Sequence, residues 1–201
     1  MQTNIDRILD AGGLVSINHP NYKWALTPEI ISSSTGANML EVFNGHPMTN
    51  TFGTGNKPSA EQIWDAVLTS GQKIFAAATD DAHNYHEFTP NHSNPGRGWL
   101  NVRASQLTSD GIIDSLRSGD FYSSTGVVLN EINADKNGIS IQIERIPFVE
   151  YETIFVGEGG KILDKCFGNN PKYIFQGEKS YVRATISDSN GFKAWIQPVH
   201  V

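Results

Sequence analysis

The sequence predicts an α/β domain over residues 1–126, followed by an all-β sandwich domain over residues 127–201. Two observations predict this order. In the first part, short apolar runs that end in polar residues alternate with helical patterns. In the second part, short runs of alternating apolar and polar residues are separated by Gly, Asn and Asp turns, without a helical period. We therefore expect a parallel sheet in the first domain and antiparallel sheets in the second.

The first elements follow from local signals near the amino terminus. Thr3 or Asn4 can cap a helix over residues 5–10, and the glycines that follow that helix stop it. Residues 14–20 then predict a strand. Pro20 cannot donate a hydrogen bond to a neighbouring strand, so the strand ends there and leaves His19 at the rim of the sheet.

The next elements complete the α/β pattern. Residues 39–45 predict a second strand, and Ser59 with Gln62 forms the capping box of a helix that Gly71 closes. The apolar run that begins at Ile74 and leads into Asp80, Asp81 and His83 predicts a buried third strand over residues 74–83. Polar residues lie at the carboxyl end of each of these strands, which is where active sites are found in α/β proteins.

The remaining elements are a long loop, one strand and one helix, followed by the short strands of the predicted sandwich. Residues 84–98 form a long loop of His, Asn, Pro and Gly, which is typical of a lid or binding loop. Residues 99–104 predict a strand, and Thr108 or Ser109 caps a helix that ends at Gly119. The sandwich strands are predicted at residues 139–143, 153–156, 173–175, 181–186 and 194–197.

Composition narrows the class of partner. The chain of 201 residues has 38% hydrophobic and 18% charged residues and a net charge of −6, with a pI near 5.4. This balance argues against a nucleic acid or a membrane surface held mainly by charge. Cys166 is the only cysteine, so it cannot form an intrachain disulfide.

No targeting signal in the sequence identifies the cellular compartment. No run approaches the ~18 apolar residues of a membrane span, and residues 1–4 do not open a secretory signal. The localisation stays open: cytoplasmic, or secreted if the native start has been trimmed.

Three side chains form the candidate metal site: His19, Asp81 and His83. On an extended strand Asp81 and His83, two residues apart, would point to one face within about 7 Å of each other. Imidazole nitrogens with a carboxylate oxygen suit a divalent zinc, manganese or iron ion. The bland alternative for His19 is a hydrogen bond to a loop carbonyl.

Five further residues are candidates for substrate contact. They are polar groups near a strand end or in a loop: Glu41, Asn44, His46, His86 and Arg97. An arginine between glycines can bind an anionic group with two hydrogen bonds, or it can pair with a surface carboxylate. A buried glutamate can pair with a neighbouring lysine or arginine, and a loop histidine is by default solvated.

Four segments carry a resemblance to a known family: residues 13–20 (GLVSINHP), 41–45 (EVFNG), 79–83 (TDDAH) and 116–122 (LRSGDFY). Together they resemble the later half of the PHP (polymerase and histidinol phosphatase) superfamily, most closely its branch of PHP-like metal-dependent phosphoesterases and CehA/McbA-type hydrolases. The resemblance covers about the first 125 residues. The strands that follow, ending at residues 195–199, resemble the β-sandwich often appended to that branch.

The resemblance implies a distorted seven-stranded (β/α) barrel that holds two or three metal ions, which activate water against a phosphoester. His19 matches the histidine of the family's His-Pro motif, and Asp81 with His83 matches its closing Asp-x-His. The family's opening His-x-His does not occur in this chain. We therefore expect an incomplete PHP-type (β/α) barrel: either the carboxyl-terminal part of a longer protein, or a degenerate homologue that dimerises over the exposed sheet edge.

The predicted function is hydrolysis of a small phosphoester or related ester by a metal-dependent enzyme. His19, Asp81 and His83 would hold the metal, Asp81 and His83 would act in catalysis, and Arg97 or a loop histidine would steady the anionic group. The alternative is a non-catalytic PHP-like module whose sandwich binds a carbohydrate or a protein. A third reading is an enzyme assembled from two chains, as a homo-oligomer with a shared metal site.

Overall fold

The helices and the parallel strands lie in the first part of the chain. The computed structural model describes residues 1–201. The helices are α1 (Gln2–Asp10), α2 (Pro28–Ser32), α3 (Ala60–Thr69) and α4 (Ser109–Ser118). The strands are β1 (Ser16–Ile17), β2 (Met39–Asn44), β3 (Phe75–Thr79), β4 (Trp99–Val102), β5 (Phe121–Ser124), β6 (Leu129–Asp135), β7 (Gly138–Ile143), β8 (Tyr151–Gly157), β9 (Lys161–Phe167), β10 (Lys172–Ile174), β11 (Tyr181–Asp188) and β12 (Lys193–His200).

The strands form three sheets. The first is parallel, in the order β1-β2-β3. The second has six antiparallel strands in the order β4-β5-β12-β11-β8-β9, and the third is the antiparallel sheet β10-β7-β6. The mixed α/β character of the prediction is confirmed. The parallel part has three strands and does not close into a barrel.

Four strands are shorter than predicted: β2 and β4 end one and two residues early, at Asn44 and Val102, and β1 and β3 differ more. β1 covers Ser16–Ile17 rather than residues 14–20, and β3 ends at Thr79 rather than continuing to residue 83. The physical reason lies in the backbone, because His19 has φ 32° and Asp81 has φ 47°. These left-handed conformations cannot continue an extended strand. Asp81 and His83 therefore lie in the loop after β3, and the prediction that they share one strand face is wrong.

Local capping signals gave the ends of α3 and α4 correctly, but α1 begins at Gln2, so the predicted cap at Thr3 or Asn4 is wrong. Ser59 and Gln62 form the reciprocal capping box of α3, with hydrogen bonds of 3.1 and 2.9 Å. Thr108 caps α4 by accepting a hydrogen bond from the Gly111 amide, and Gly119 ends that helix with φ 80°. Neither α3 nor α4 exceeds 10 residues, and no helix of the chain is both long and apolar enough to cross a membrane.

The six-stranded sheet is buried on both faces, because alternate residues of its central strands enter two different cores. Val182, Ala184 and Ile186 of β11 pack against the small antiparallel sheet. Tyr181 of β11 and Trp195 of β12 instead join the core formed by β1–β3 and α3. Strands from both sides of residue 126 share this sheet, and the domain boundary at that residue stays a prediction.

A buried charge cluster joins α3 to the six-stranded sheet. The Arg183 side chain is 2% exposed, and its Nε and Nη2 donate to the two carboxylate oxygens of Asp65 at 2.6 and 2.7 Å. Its Nη1 donates to Glu61 at 2.9 Å, and the guanidinium lies over the Trp64 ring at 4.8 Å. The Tyr181 hydroxyl also donates to Asp65, at 2.9 Å. Each of the three guanidinium nitrogens of Arg183 thus donates a hydrogen bond to a carboxylate.

The cluster shifts the ionisation of its members. Burial works to raise the pKa of Glu61, but the Arg183 charge and the hydrogen bond from Thr185 outweigh it, so this pKa lies below its ordinary value. Burial raises the pKa of the Tyr181 phenol, and the Asp65 carboxylate raises it further. The cluster therefore keeps Glu61 charged and the Tyr181 phenol neutral at neutral pH.

The free edge of β3 is closed by a side chain rather than by a strand. The Gln197 amide of β12 accepts a hydrogen bond from the Ala76 N–H at 2.8 Å and donates to the Ala76 carbonyl at 3.0 Å. Ser123 of β5 donates to the same carbonyl at 2.8 Å. A primary amide has the donor and acceptor of a peptide unit, so Gln197 pairs with β3 as a strand residue would.

Removing one partner of the buried pair should destabilise the protein strongly. Arg183→Ala leaves Asp65 buried without its partner, and we expect the free energy of unfolding in urea to fall by about 3–5 kcal/mol. The control is Arg117→Ala, which breaks the exposed ion pair with Asp114 and should change that free energy by less than about 0.5 kcal/mol. Similar losses for the two variants would contradict a structural role of the buried cluster.

Gln197→Leu tests the closure of the β3 edge. The substitution removes the two hydrogen bonds to Ala76 and leaves a buried N–H unpaired, which should cost about 1–3 kcal/mol of unfolding free energy. Hydrogen exchange of the Ala76 amide should accelerate by more than that of the other β3 amides. Unchanged protection of Ala76 would show that its amide has another partner.

Candidate metal and substrate cleft

The carboxyl ends of the three parallel strands surround one small cleft. His19 follows β1, His46 follows β2, and Asp81 and His83 follow β3. A cleft of about 210 Å³ is lined by His19, Tyr22, His46, Met48, Thr49, Asp81 and His83. We name it the rim cleft. The structure thus brings the three predicted metal ligands together and adds His46, which was predicted as a substrate contact.

A buried carboxylate holds the strand ends beneath the rim cleft. Glu41 of β2 is 2% exposed, and its Oε2 accepts hydrogen bonds from the His19 backbone N–H at 2.5 Å and from the Asn44 amide at 2.9 Å. Its Oε1 accepts the Thr79 hydroxyl at 2.7 Å. Because the three donors come from the ends of β1, β2 and β3, Glu41 fixes the three strands relative to one another. The alternative of a lysine or arginine partner for Glu41 is not what the structure shows.

The Asn44 amide connects the floor to the rim. Its Nδ2 donates to Glu41 and also lies 3.3 Å from Oδ2 of Asp81. Its Oδ1 accepts the His46 N–H at 2.8 Å. Asn44 is buried, so it acts on the cleft by positioning Asp81 and His46. Its predicted contact with substrate stays a prediction.

Two of the candidate ligands have a left-handed backbone. His19 (φ 32°) and Asp81 (φ 47°) are among the few non-glycine residues of the chain with positive φ. Aspartate and histidine tolerate this region better than most residues, but it still carries a small conformational cost. The sharp change of direction after β1 and β3 turns these side chains back over the strand ends, toward the cleft.

Hydrogen bonds indicate which ring nitrogen carries the proton in His83 and in His46, whose imidazoles face each other. Nδ1 of His83 lies 2.6 Å from the Asp81 carbonyl oxygen, which can only accept, so in the neutral ring Nδ1 carries the proton and Nε2 has the lone pair. Nδ1 of His46 accepts the Met48 N–H at 3.2 Å, so the neutral ring carries its proton on Nε2. The ring centroids are 5.7 Å apart, at 90°. One ring therefore offers a lone pair and the other an N–H.

The donor types of the rim cleft fit a divalent metal ion, but their arrangement does not complete a site. Imidazole and carboxylate are ligands that zinc, manganese and iron accept. Across residues 1–201, no group of three or more His, Cys, Asp or Glu side chains lies close enough together to hold a metal ion. The donors surround the cleft without meeting at one point.

Arg97 and His86 lie outside the rim cleft. The Arg97 guanidinium donates to the Thr89 carbonyl at 2.6 Å, to Oδ1 of Asn94 at 2.8 Å and to the Gly45 carbonyl at 3.3 Å. It therefore braces the loop over residues 84–98 against the end of β2. It lines a neighbouring cleft of about 330 Å³ that shares His46 with the rim cleft. His86 is exposed in the same loop, and substrate roles for both residues stay predictions.

Sequence reasoning missed the residues that orient this site. Ser93 accepts the His83 N–H at 3.0 Å, and its hydroxyl donates to the Asp81 carbonyl, so it holds the turn that carries both groups. The Tyr22 ring meets the His19 ring edge-on, with centroids 5.6 Å apart. Neither residue belongs to a chemical motif. The only available signal for Ser93 was its place in the long loop predicted to bind.

Comparison with known proteins gives one remote structural neighbour. No protein-family model matches the sequence, and no curated protein matches it. A solved structure from Bacteroides vulgatus, described as a two-domain protein containing a predicted PHP-like metal-dependent phosphoesterase, is 12% identical to this chain with a TM-score of 0.41. The match covers 98% of this chain, which spans 64% of that protein. At that distance, membership of the PHP superfamily stays a prediction.

Two substitutions of Glu41 should separate its hydrogen bonds from its charge. Glu41→Leu removes the acceptor of the His19 N–H and the Thr79 hydroxyl and leaves Asn44 only its contact with Asp81, so it should lower the unfolding free energy by about 3 kcal/mol or more. Glu41→Gln can still accept from His19 and Asn44 while its NH₂ donates to the Thr79 hydroxyl, so we expect a loss of at most about 1 kcal/mol. Urea unfolding and the ¹⁵N shift of the His19 amide measure both effects. Equal losses for the two variants would rule out the hydrogen-bonding role.

Proposed function

We propose that the rim cleft is the site of a PHP-type metal-dependent hydrolase that acts on a phosphoester, and that this chain supplies part of the ligand set. The observation that supports this proposal is the convergence of His19, His46, Asp81 and His83, from three separate strand ends, on one cleft above a buried carboxylate. Strand ends of a parallel sheet are the usual place of catalysis in α/β proteins.

Different residues of the rim cleft would have different roles in the reaction. His83 offers the Nε2 lone pair, and the Asp81 carboxylate and the His19 ring face the same cleft, so these three would hold the cation. A divalent ion at such a site lowers the pKa of bound water and polarises a phosphoryl oxygen. His46 carries its proton on Nε2 and would donate a hydrogen bond to an oxygen of the substrate. Asn44 and Glu41 position these groups from below.

The site as it stands is incomplete, and the proposal includes a source for the missing donors. β1 pairs with β2 on one side and is the outer strand of the parallel sheet. An open edge beside the rim cleft is where another segment or a second copy of the chain would bring further ligands. Light scattering tests the second of these sources, because a shared site requires an oligomer.

Metal titration tests the proposal directly. Zn²⁺ titrated into the purified chain should bind, and His83→Ala and Asp81→Asn should each weaken binding by about tenfold or more, because each removes one donor. His86→Ala is the matched control, since it removes an exposed histidine of the same loop that does not line the rim cleft. Calorimetry measures the affinities. Absence of Zn²⁺ binding, or equal binding by the wild type and His83→Ala, would reject the metal site.

A second candidate function is a non-catalytic module that keeps a vestigial site. The observation that favours it is that no three donors lie within reach of one ion. The two functions differ in turnover: with Mn²⁺ or Zn²⁺ added, a hydrolase cleaves bis(p-nitrophenyl) phosphate and loses this activity in Asp81→Asn. A chain that binds the metal through Asp81 and His83 but does not cleave the ester would be the module.

A further inference from the structure

We propose that the antiparallel part of the chain carries a binding cleft for a neutral oligosaccharide, which no part of the proposed hydrolase uses. The cleft, of about 730 Å³, lies between the loop that follows β7 and the loop that follows β9. We name it the loop cleft. Its volume is within the usual range of ligand sites, about 300–1,000 Å³. The residues that carry the argument are Gln142, Arg145, Phe148, Phe167, Asn169 and Asn170.

Two aromatic rings line the loop cleft and remain in solvent. Phe148 is 104% exposed and Phe167 is 78% exposed. Phe148 also has φ 65°, which is a rare and strained conformation for a bulky residue. An exposed phenylalanine at a strained position has no use in the fold, because it buries no apolar surface there. Rings displayed in this way can pack against the apolar C–H faces of sugar rings.

The polar groups of the loop cleft are mainly uncharged amides. Asn130, Gln142, Asn169 and Asn170 all line it. Each primary amide can donate and accept, which matches the hydroxyl groups of a sugar.

The loop that follows β9 is held in place by main-chain hydrogen bonds. The Asn169 carbonyl accepts the Ile143 N–H at 2.8 Å, and the Gly168 N–H donates to the Tyr151 carbonyl at 3.0 Å. Asn169 and the start of its loop are therefore tied to β7 and β8 on either side. A site that is ordered before binding loses less entropy when the ligand arrives.

Charge selects a neutral ligand over the alternatives. Arg145 and Glu150 both line the loop cleft, so one positive and one negative side chain offset each other. A membrane surface would require clustered basic residues, whereas this chain has a net charge of −6. A peptide added as a strand would require an open sheet edge, and the loop cleft lies at the ends of strands.

Affinity electrophoresis of the full chain tests this inference. The probes are native gels that contain mannan, xylan, starch or mixed-linkage β-glucan, with polygalacturonate as the anionic comparison. We expect retardation in at least one neutral gel and none in polygalacturonate. Phe167→Ala and Asn169→Ala should weaken binding by about tenfold each, because each removes one contact group. Phe148→Gly should do the same without unfolding the loop, since glycine adopts positive φ freely.

The matched control is Phe88→Ala. Phe88 is an exposed phenylalanine (67%) that does not line the loop cleft, so its removal should leave retardation unchanged. The proposal would be overturned if no neutral polysaccharide retarded the chain, or if polygalacturonate alone retarded it. Equal retardation of the wild type and the three cleft variants would also overturn it. Light scattering that shows a dimer converted to a monomer by Phe167→Ala would instead assign the cleft to a second copy of the chain.

Discussion

The pairing of Arg183 with Asp65 is the interaction on which the arrangement of this protein depends. Burial works against the charged guanidinium, but the Asp65 carboxylate, with Glu61, outweighs it and raises the pKa of Arg183. Such a pair adds little stability compared with apolar residues of the same shape, yet it fails at once if either partner is displaced. It therefore specifies where α3 sits on the six-stranded sheet. Because β3 follows α3 along the chain, the pair also constrains where β3 lies beside that sheet.

Local signals in the sequence predicted much of the fold, and long-range pairings explain what was missed. The capping box of α3, the glycine that ends α4 and the apolar runs of β2 and β3 each depend on a few neighbouring residues, so they could be predicted directly. Arg183 stands in a run that looks like an ordinary half-exposed strand. Its partner Asp65 is 118 residues away, on a helix face that also looks exposed. No local pattern shows that both residues are buried, so the docking of α3 on the sheet could not be predicted.

The prediction of the candidate site combined one correct premise with one wrong assumption. Parallel strands do bring His19 and His83 to the same rim, as strand order predicts. The predicted geometry within Asp81-x-His83 assumed a continuous strand, whereas the left-handed backbone of Asp81 ends it and places the His83 ring beside the Asp81 carbonyl. The proton positions of His46 and His83 depend on the Met48 amide and the Asp81 carbonyl. Main-chain partners of this kind carry no sequence signature, so the division between a lone pair and an N–H could not be foreseen.

The electrostatics of the rim cleft connect its two halves. Glu41 and Asp81 are both hydrogen-bonded by the single Nδ2 of Asn44, at 2.9 and 3.3 Å, so two carboxylates lie close together beside the imidazoles of the rim cleft. An anionic phosphoester that entered this cleft alone would meet the field of both carboxylates and be repelled. The same field attracts a cation. The residues present therefore favour a cation in the rim cleft over an anion, which agrees with the metal ion that we propose there.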